Sequence, residues 1–443
     1  MGCSLKIGVI GAGSAVFSLG LVRDLCLTDG LHGSRVVLMD VDEGRLDQVH
    51  LLATRYVQEL GVPIQFDKTL DRAHVLDGAD VVINTALVGG HDHMENLRTL
   101  GERHGYYRGY GIVNYLQYDL MMSIVRDMER LCPDAWLIES ANPVFEGCTL
   151  MTRQSRIKVL GLCHGHYGYR RIAQVLGLDA NKVAFEAPGF NHWIWMTKFE
   201  HEGRDAYPLL DEWIETKAEE FWRTYKPNYG DNQMSRAAIH QYRLFGLMPI
   251  GDTPRIVGWW YHVDLDTKKR WYGHLGGFDS EIGWAQYLKN LDERVAKIER
   301  AARDRDRRVT EVFPPQKSGE QIVPIIDALF NDNEGHFQVN VPNNGVLHGI
   351  PADVVVEVPA LVNKHGIKGY VTRQLPRNLM LQAMQPRLWR AECTFEAFLT
   401  GDRRLLLTLL LDDHRSRSLD QAEKFLDAAL SMPGNEKIAE RFA

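Results

Sequence analysis

Residues 5–16 of the chain read LKIGVIGAGSAV. The β-branched run Leu5–Ile10 predicts a short buried strand, and apolar residues recur with helical spacing from Ser14 to Cys26. A Gly-x-Gly turn between a strand and a helix lets the backbone approach a pyrophosphate, which then rests on the helix N-terminus. Val16 stands where a third glycine or an alanine is usual, so the match is partial. The stretch predicts a dinucleotide-binding Rossmann fold.

Asp40 supports this interpretation because it directly follows the second predicted strand, Arg35–Met39. An acid at that place accepts hydrogen bonds from ribose hydroxyls and repels a 2′-phosphate, which favours NAD over NADP. The alternative is a glycine turn in an unrelated α/β domain.

Strands and helices alternate through the first 190 residues, as in a doubly wound parallel sheet. Further strands are predicted at Ala79–Asn84, Ala135–Glu139 and Ile157–Gly161, and helices at Glu43–Leu60, Asp92–Gly105, Tyr115–Leu131 and Val144–Thr152. The strands are continuously apolar, as strands buried on both faces must be.

The alternation stops near residue 190, where a segment rich in Trp and Tyr begins. Helices are predicted at Glu281–Arg305, Gln382–Leu399 and Arg403–Ala429, and strands at His336–Val341 and Val354–Val358. We therefore predict an NAD-binding Rossmann domain over 1–190 and an α+β domain for substrate, metal and oligomerisation over 191–443. This is the domain plan of lactate and malate dehydrogenases.

Composition excludes several classes of partner. The 443 residues carry a net charge of −7, which argues against nucleic-acid binding. No apolar run is long enough to cross a membrane, and the start of the chain lacks a secretion signal pattern, so we expect a cytoplasmic protein. The six cysteines form no CxxC pair and should be reduced. Five of them, all except Cys163, are expected to be small buried hydrophobes.

Three polar clusters follow the predicted sheet. They are Ser140-Ala141-Asn142-Pro143-Val144, Cys163-His164-Gly165-His166 and Asn191-His192-Trp193. The first two follow consecutive strands and should meet at the carboxyl edge, where open sheets bind ligands. Cys163 and His192 could share a divalent metal and leave positions open for substrate oxygens. On these residues alone, a buried cysteine and a core histidine are the better interpretation.

The ordered set of motifs resembles glycoside hydrolase family 4, the NAD-dependent glycosidases, over essentially the whole chain. The motifs that carry the resemblance are the GAGS loop, 84–90, the Asn-Pro motif, CHGH, Asn191-His192, Ile250–Arg255, 317–320 and 354–362. The resemblance implies that NAD takes a hydride from carbon 3 of the sugar, which acidifies the proton on carbon 2. A base removes that proton, the leaving group is eliminated, water adds and the hydride returns. A divalent metal, usually Mn²⁺, chelates the hydroxyls on carbons 2 and 3.

The resemblance also implies roles for single residues. Cys163 and His192 resemble the metal ligands, Asp252 resembles the base, and His164 stands where some relatives place an acid for the leaving group. Arg255 resembles a substrate contact, Asn142 lines the sugar or cofactor, and Asn191 is assigned to the sugar. The residues assigned to NAD are Gly11, Gly13, Ser14, Asp40, Asn84 and Thr85. Without the resemblance, Asp252 is more simply a turn residue, while packing or support is an equal alternative for His164 and His166.

The CHGH motif resembles the α-glucosidase branch, whose members are not specific for phosphorylated sugars, so an α-glucosidase acting on neutral sugars is predicted. An α-glucuronidase or α-galacturonidase remains the alternative, because the link between 106–109 and 114–115 is shorter than in those α-glucosidases. A net NAD-dependent dehydrogenase and an inactive NAD-binding sensor are the alternatives from other classes. We expect a small-molecule sugar as substrate and a homodimer or homotetramer.

Overall fold

A computed structural model describes residues 3–14, 18–108 and 114–443. Its first half carries six parallel strands. The strands are β1 (Lys6–Ile10), β2 (Arg35–Met39), β3 (Gln65–Thr69), β4 (Val81–Asn84), β5 (Trp136–Glu139) and β6 (Lys158–Gly161). They lie in the order β3-β2-β1-β4-β5-β6, and every neighbouring pair is parallel. This is the strand order of a Rossmann fold, and it confirms the predicted fold class.

Helices connect these strands. They are α1 (Ser18–Cys26), α2 (Glu43–Leu60), α3 (Arg72–Leu76), α4 (Gly90–Arg103), α5 (Asn114–Leu131), α6 (Val144–Gln154) and α7 (Gly168–Leu176). The predicted helix from Ser14 is described from Ser18 onward, and Val16 lies outside the described residues. β2 and α2 have the predicted bounds, whereas the sequence analysis missed β3, a short strand at the edge of the sheet.

The second half adds antiparallel strands to the same sheet. β13 (Gly335–Pro342) pairs with β6, and the sheet continues through β14 (Val355–Asn363), β8 (Gly189–Phe190), β9 (Trp193–Met196) and β12 (Met248–Ile250). β15 (Gly366–Gly369) pairs with β14. A separate sheet joins β7 (Val183–Glu186), β10 (Lys198–His201) and β11 (Arg204–Asp205). The large sheet therefore contains strands from both sides of residue 190. The division at that residue into an NAD-binding domain and a substrate domain stays a prediction.

Helices cover the added strands and fill the C-terminal region. They are α8 (Tyr207–Thr216), α9 (Ala218–Thr224), α10 (Arg236–Phe245), α11 (Thr253–Ile256), α12 (Leu265–Tyr272), α13 (Glu281–Arg303), α14 (Val309–Val312), α15 (Ile322–Asn331), α16 (Arg377–Leu379), α17 (Gln385–Thr400), α18 (Arg403–Leu411), α19 (Leu419–Leu430) and α20 (Glu436–Arg441). A π-helical segment, Met380–Met384, joins α16 to α17.

The single helix predicted over Arg403–Ala429 is wrong, because the chain turns between α18 and α19. Asp413 accepts hydrogen bonds from the backbone and the guanidinium of Arg415, and Ser418 caps α19 by accepting from the Gln421 N–H. Local capping by these short polar side chains interrupts a pattern that is otherwise helical.

Two apolar clusters hold the large sheet from its two faces. Val81 and Ile83 of β4 belong to one cluster, while Val82 between them belongs to the other. Burial on both faces explains why these strands are continuously apolar. The expectation that five cysteines are buried is wrong for two of them, since Cys3 is exposed and Cys393 is half-buried. No helix among the described residues is long and apolar enough to cross a membrane.

Candidate active site

The glycine-rich loop follows β1 and lies against the ends of two other strands. Gly11 has φ +86°, and a Cβ there would come within 2.6 Å of the Ala86 nitrogen. The Gly13 N–H donates to Asp40 Oδ2 at 2.7 Å, which holds the loop beside the end of β2. A Cβ on Gly13 would lie 2.9 Å from that same oxygen. The loop is thus a cradle of bare backbone with an acid at its rim, which fits a dinucleotide.

Thr85 holds this loop by a hydrogen bond, and the neighbouring Asn84 binds Glu139. The Thr85 hydroxyl donates to the Gly11 carbonyl at 3.0 Å, and the Asn84 amide donates to both carboxyl oxygens of Glu139, at 3.1 and 2.8 Å. Ser14 ends the described part of the loop and is half-buried. The side chains of Asn84 and Thr85 therefore make their contacts within the protein, whereas their assignment to NAD stays a prediction.

Glu139 is a buried acid at the same edge of the sheet that the sequence analysis did not single out. It is fully buried at the end of β5, where it also accepts the Ala141 N–H at 2.8 Å. Burial raises the pKa of Glu139 to about 8, against the opposing effect of the Asn84 amide and the Ala141 N–H. Glu139 is therefore mostly a neutral carboxylic acid at pH 7, held beside Asn84 at the end of β4. The signal was an acid at the end of an apolar strand.

Asn142 also lies at the carboxyl edge of the parallel strands. It is exposed in the loop between β5 and α6, and its peptide bond to Pro143 is cis. Its exposed amide is accessible to a ligand at the carboxyl ends of the strands.

A contact between two glycines brings the CHGH loop against the loop that carries Asp252. Gly251 has φ +66°, and a Cβ on it would lie 2.7 Å from the Cα of Gly165. The Gln233 side chain holds Gly251 by two hydrogen bonds. Its Nε2 donates to the Gly251 carbonyl at 2.7 Å, and its Oε1 accepts from the Gly251 N–H at 3.0 Å. Side chains larger than hydrogen would separate the two loops. The close approach therefore places Cys163 and Asp252 in one site.

Asp252 lies between two partners that are charged or polar, Arg255 and His192. Arg255 Nε donates to its Oδ1 at 2.7 Å, and His192 Nε2 lies 3.3 Å from its Oδ2. Arg255 is held in turn by Asp279, whose two oxygens each lie 3.0 Å from Nη1. Burial opposes ionisation, but Arg255 and His192 hold the pKa of Asp252 well below its usual range. Asp252 is therefore a carboxylate at any pH near neutrality.

His192 occupies a left-handed backbone conformation, φ +68°, just before β9. The hydroxyl of Thr253 fixes the two loops together, since it exchanges hydrogen bonds with the backbone of Ile194 at 2.8 and 3.0 Å. Burial lowers the pKa of His192 to about 4, although Asp252 acts in the opposite direction. The imidazole is neutral at pH 7 and has a lone pair for a metal ion.

Cys163 completes this cluster from the end of β6. Burial raises the pKa of its thiol to about 12, and the carboxylates of Glu357 and Asp252 add to the effect. A divalent cation bound to Cys163 would instead lower the pKa of the thiol, because the cation stabilises the thiolate.

Glu357 is a second acid that the sequence analysis missed. It is 1% exposed on β14, and its Oε2 accepts the Asn191 amide at 3.0 Å. Its Oε1 is buried without a hydrogen-bond partner among the described residues. Burial raises the pKa of Glu357 to about 7, while the amides of Asn191, Gln338 and Asn340 lower it. An acid inside the apolar run 354–358 was the available signal.

The two histidines of the CHGH motif differ. His164 is exposed, with Nδ1 3.9 Å from Glu320 Oε1, so it is accessible to a leaving group. His166 is buried, and its Nδ1 lies 3.1 Å from the Cys163 carbonyl. Burial lowers the pKa of His166 to about 4. His166 therefore packs and supports the loop.

The donor set fits a divalent metal held by few protein ligands. Cys163 and His192 supply a sulfur and a neutral nitrogen, and the Oε1 of Glu357 is a buried oxygen without a hydrogen-bond partner among the described residues. Within the described ranges, no three His, Cys, Asp or Glu side chains are arranged to hold a metal ion. The two predicted protein ligands leave the other coordination positions of the metal ion to oxygens from outside the chain.

The fold and the site together define a Rossmann-type protein that carries, besides its glycine-rich loop, a cluster of a thiol, an imidazole and a carboxylate. Two family models match the chain, "Family 4 glycosyl hydrolase" over residues 6–178 and "Family 4 glycosyl hydrolase C-terminal domain" over residues 187–415. The chain belongs to family 4 of the glycosyl hydrolases, which confirms the resemblance and identifies a glycoside hydrolase. Membership disfavours the dehydrogenase and sensor alternatives.

Curated relatives differ in their sugars. An α-galactosidase of Bacillus subtilis is 26% identical, covering 94% of this chain and 95% of the relative. An α-galacturonidase of Thermoanaerobacterium saccharolyticum and an α-glucosidase of Erwinia rhapontici are each 25% identical, covering 96% of this chain and 97% of the relative. The family is therefore established, while the sugar is not fixed by these similarities.

Solved structures share the fold. The putative glucosidase lplD of Bacillus subtilis superposes with a TM-score of 0.81 at 23% identity, covering 96% of this chain and 100% of that one. A 6-phospho-α-glucosidase from gut microorganisms, solved with NAD and Mn²⁺, gives 0.77 at 16% identity, covering 97% and 98%. The lactate dehydrogenase MGS-M5 from a deep-sea metagenome gives 0.50 at 14% identity, covering 89% and 99%. These similarities confirm the predicted fold class, a Rossmann-like domain plan like that of lactate and malate dehydrogenases.

Proposed function

We propose that the protein is an NAD- and divalent-metal-dependent α-glycosidase, with Mn²⁺ as the metal. The observation that carries the proposal is the convergence of Cys163, His192 and Asp252 at the sheet that also carries the cradle at Gly11 and Gly13. The 6-phospho-α-glucosidase from gut microorganisms was solved with NAD and Mn²⁺, which supports the same pair of cofactors here.

Each residue has a task in this proposal. When bound, NAD supplies a hydride acceptor and the metal supplies a Lewis acid. Cys163 and His192 hold the metal, while Gly11, Gly13, Ser14 and Asp40 bind NAD. Asp252 removes a proton from carbon 2 of the sugar. Arg255, fixed by Asp279, keeps Asp252 ionised and contacts the substrate, as Asn142 does. Asn191 offers the sugar only its carbonyl oxygen, because its NH₂ group binds Glu357. His164 donates a proton to the leaving group.

Turnover in heavy water tests the proposed route. We expect deuterium on carbon 2 of the released sugar, because a proton removed there exchanges before the product leaves. Direct displacement breaks no carbon–hydrogen bond and leaves carbon 2 unlabelled. Magnetic resonance of the product reads the label. A product without deuterium on carbon 2 rules out the elimination route.

The variant Asp252→Asn tests the base. It keeps the shape of the side chain and removes its basicity, so turnover should fall by about 10²–10⁴-fold. NAD affinity should not change, and Arg255 retains its two contacts with Asp279. Full activity with carbon 2 labelled would move the base to another residue, a tyrosine being the next choice.

Neutral α-glucosides are the proposed substrates, on the basis of the CHGH motif. We expect little cleavage of 6-phosphorylated glucosides. A panel of nitrophenyl α- and β-glycosides, neutral, acidic and 6-phosphorylated, with NAD and Mn²⁺ present, tests this. A higher rate on the 6-phosphate than on the free glucoside would contradict the assignment.

An α-uronide is the second candidate substrate, favoured by Arg387. The Arg387 guanidinium lies over the ring of Trp193, next to His192, at 5.1 Å, and its Nη2 donates to Glu146 Oε1 at 2.8 Å. Its Nε is buried without a partner in the described part of the chain. An arginine held by an aromatic ring suits recognition of a carboxylate. Preference for an α-uronide in the same panel, lost in Arg387→Lys, would establish this candidate.

We further propose a cytoplasmic homodimer or homotetramer that binds neither nucleic acid nor membrane. Light scattering of the purified protein measures the subunit number, and a monomer would contradict the expectation.

A further inference from the structure

Glu357 lies between two strands of the sheet that lead to the site, and its side chain contacts the site as well. On β14 it lies opposite Asn340 of β13 on one side and Gly189 of β8 on the other. Gly189 stands two residues before Asn191, whose amide donates to Glu357 Oε2 at 3.0 Å. A carboxyl group that is 1% exposed therefore lies directly behind the Asn191–His192 turn.

Asn191 extends this contact to Cys163. Asn191 is 2% exposed, and its side chain also lies close enough to the Cys163 side chain to act on the thiol, whose pKa it lowers, as a hydrogen-bond donor does. One NH₂ group can serve both partners, since it carries two hydrogens. The three residues form a line from β14 through the turn to the end of β6.

The chemistry of a carboxylate decides which end of the Asn191 amide faces the sulfur. The observed bond runs from the Asn191 NH₂ to Glu357 Oε2, and above pH 7 the ionised carboxyl group only accepts hydrogen bonds, so it binds the NH₂ end of Asn191 and excludes the carbonyl end. A donor directed at sulfur stabilises a metal-bound thiolate, whereas a carbonyl oxygen directed at it would repel the anion.

We propose that Glu357 is a positioning residue for the metal site, which fixes the Asn191 amide as a donor to the Cys163 thiolate. This inference rests on the proposed function for the identity of the metal ligands. Removing such an outer partner typically weakens metal binding by about 10–100-fold.

Co²⁺ binding tests the inference, with the absorption of the Co²⁺–thiolate charge transfer as the readout. Glu357→Gln preserves shape but can donate, so Asn191 is free to turn its oxygen toward the sulfur. We expect Co²⁺ affinity to fall by about 10–100-fold and the charge-transfer band to shift. Glu357→Asp should recover part of the affinity. NAD affinity and the melting temperature verify that each variant is folded.

Glu334→Gln is the matched control. Glu334 also accepts an asparagine amide, that of Asn363 at 2.8 Å, but Asn363 lies six residues along β14, about 20 Å away. The control should bind Co²⁺ as the wild type does.

A double variant separates positioning from general destabilisation. If Glu357 acts through Asn191, then Glu357→Gln should cost little further affinity in an Asn191→Ala background. Additive losses, or equal Co²⁺ affinity and an equal band in Glu357→Gln, would overturn the inference. A wild type that binds no Co²⁺ through Cys163, shown by an unchanged spectrum in Cys163→Ser, would instead contradict the proposed metal site itself.

Discussion

Glu139→Gln should remove a pH-dependent loss of stability from the protein. Burial raises the pKa of Glu139 from 4.5 to about 8, so between these values the folded protein keeps a proton that the unfolded chain has lost. Since the folded state then binds more protons, rising pH destabilises the wild type through this group. The slope is at most about 1.4 kcal/mol per pH unit, or about 4 kcal/mol between pH 5 and pH 8. Glutamine has no proton to lose.

Urea unfolding of both proteins at pH 5, 6, 7 and 8 measures this difference. The free energy of unfolding of Glu139→Gln, minus that of the wild type, should increase steadily across the series. The amide oxygen of the variant, in the place of Oε1, can keep the bonds from Asn84 Nδ2 at 3.1 Å and from the Ala141 N–H at 2.8 Å, whereas the bond from Asn84 to Oε2 is lost. Glu334→Gln, at an exposed glutamate, is the control and should follow the wild type. A constant difference at all four pH values would refute the reasoning, since it would mean that Glu139 ionises normally.

Two further predictions concern the ligands. Asp40→Ala should weaken NAD binding and relax discrimination against NADP. Asp40→Asn should also relax this discrimination, but it keeps an acceptor for the Gly13 N–H. Unchanged NAD affinity of Asp40→Ala, measured by calorimetry, would remove Asp40 from the site. Cys163→Ser should lose metal and activity together, and the Mn²⁺ affinity of the wild type should rise about tenfold per pH unit from pH 6 to 8, because a thiol of pKa about 12 must lose its proton to bind. Elemental analysis showing full metal content in Cys163→Ser would contradict the ligand assignment.

Local signals made the first half of the fold predictable. α2 has the predicted bounds because Asp42 caps its first turn by accepting the Arg45 N–H, and Gly61 ends it in a left-handed conformation. The extension of the sheet by β13 was not predictable in the same way. Its single register pair with β6, Asn340 opposite Gly161, joins residues far apart in the chain, and apolar runs do not specify such partners.

The site was predictable only where a motif carried it. Cys163, His192 and Asp252 were identified through the family resemblance, and the structure brings His192 and Asp252 to 3.3 Å. Glu139 and Glu357 were missed because their importance comes from burial and from their partners, Asn84 on β4 and Asn191 in the turn between β8 and β9. An acid in an apolar strand is a weak signal until the strand opposite is known.

Gly161 lies where the parallel and antiparallel halves of the sheet meet, and it offers a test of whether that junction aligns the two halves of the site. A Cβ on Gly161 would come within 2.8 Å of the Asn340 Cβ and the Cys148 sulfur, and within 2.6 Å of Val144. All three are held in the core, so Gly161→Ala should push β13 away from β6 and destabilise the protein by about 1–3 kcal/mol. The cradle at Gly11 lies on the far side of β4 and β5, so NAD affinity should remain unchanged. Turnover should nevertheless fall by up to about 10²-fold, because a displacement near 1 Å between reacting groups has such an effect. Equal losses of NAD affinity and turnover would mean that the substitution disrupts the fold, and full turnover in a stably folded Gly161→Ala would show that the junction does not set the alignment.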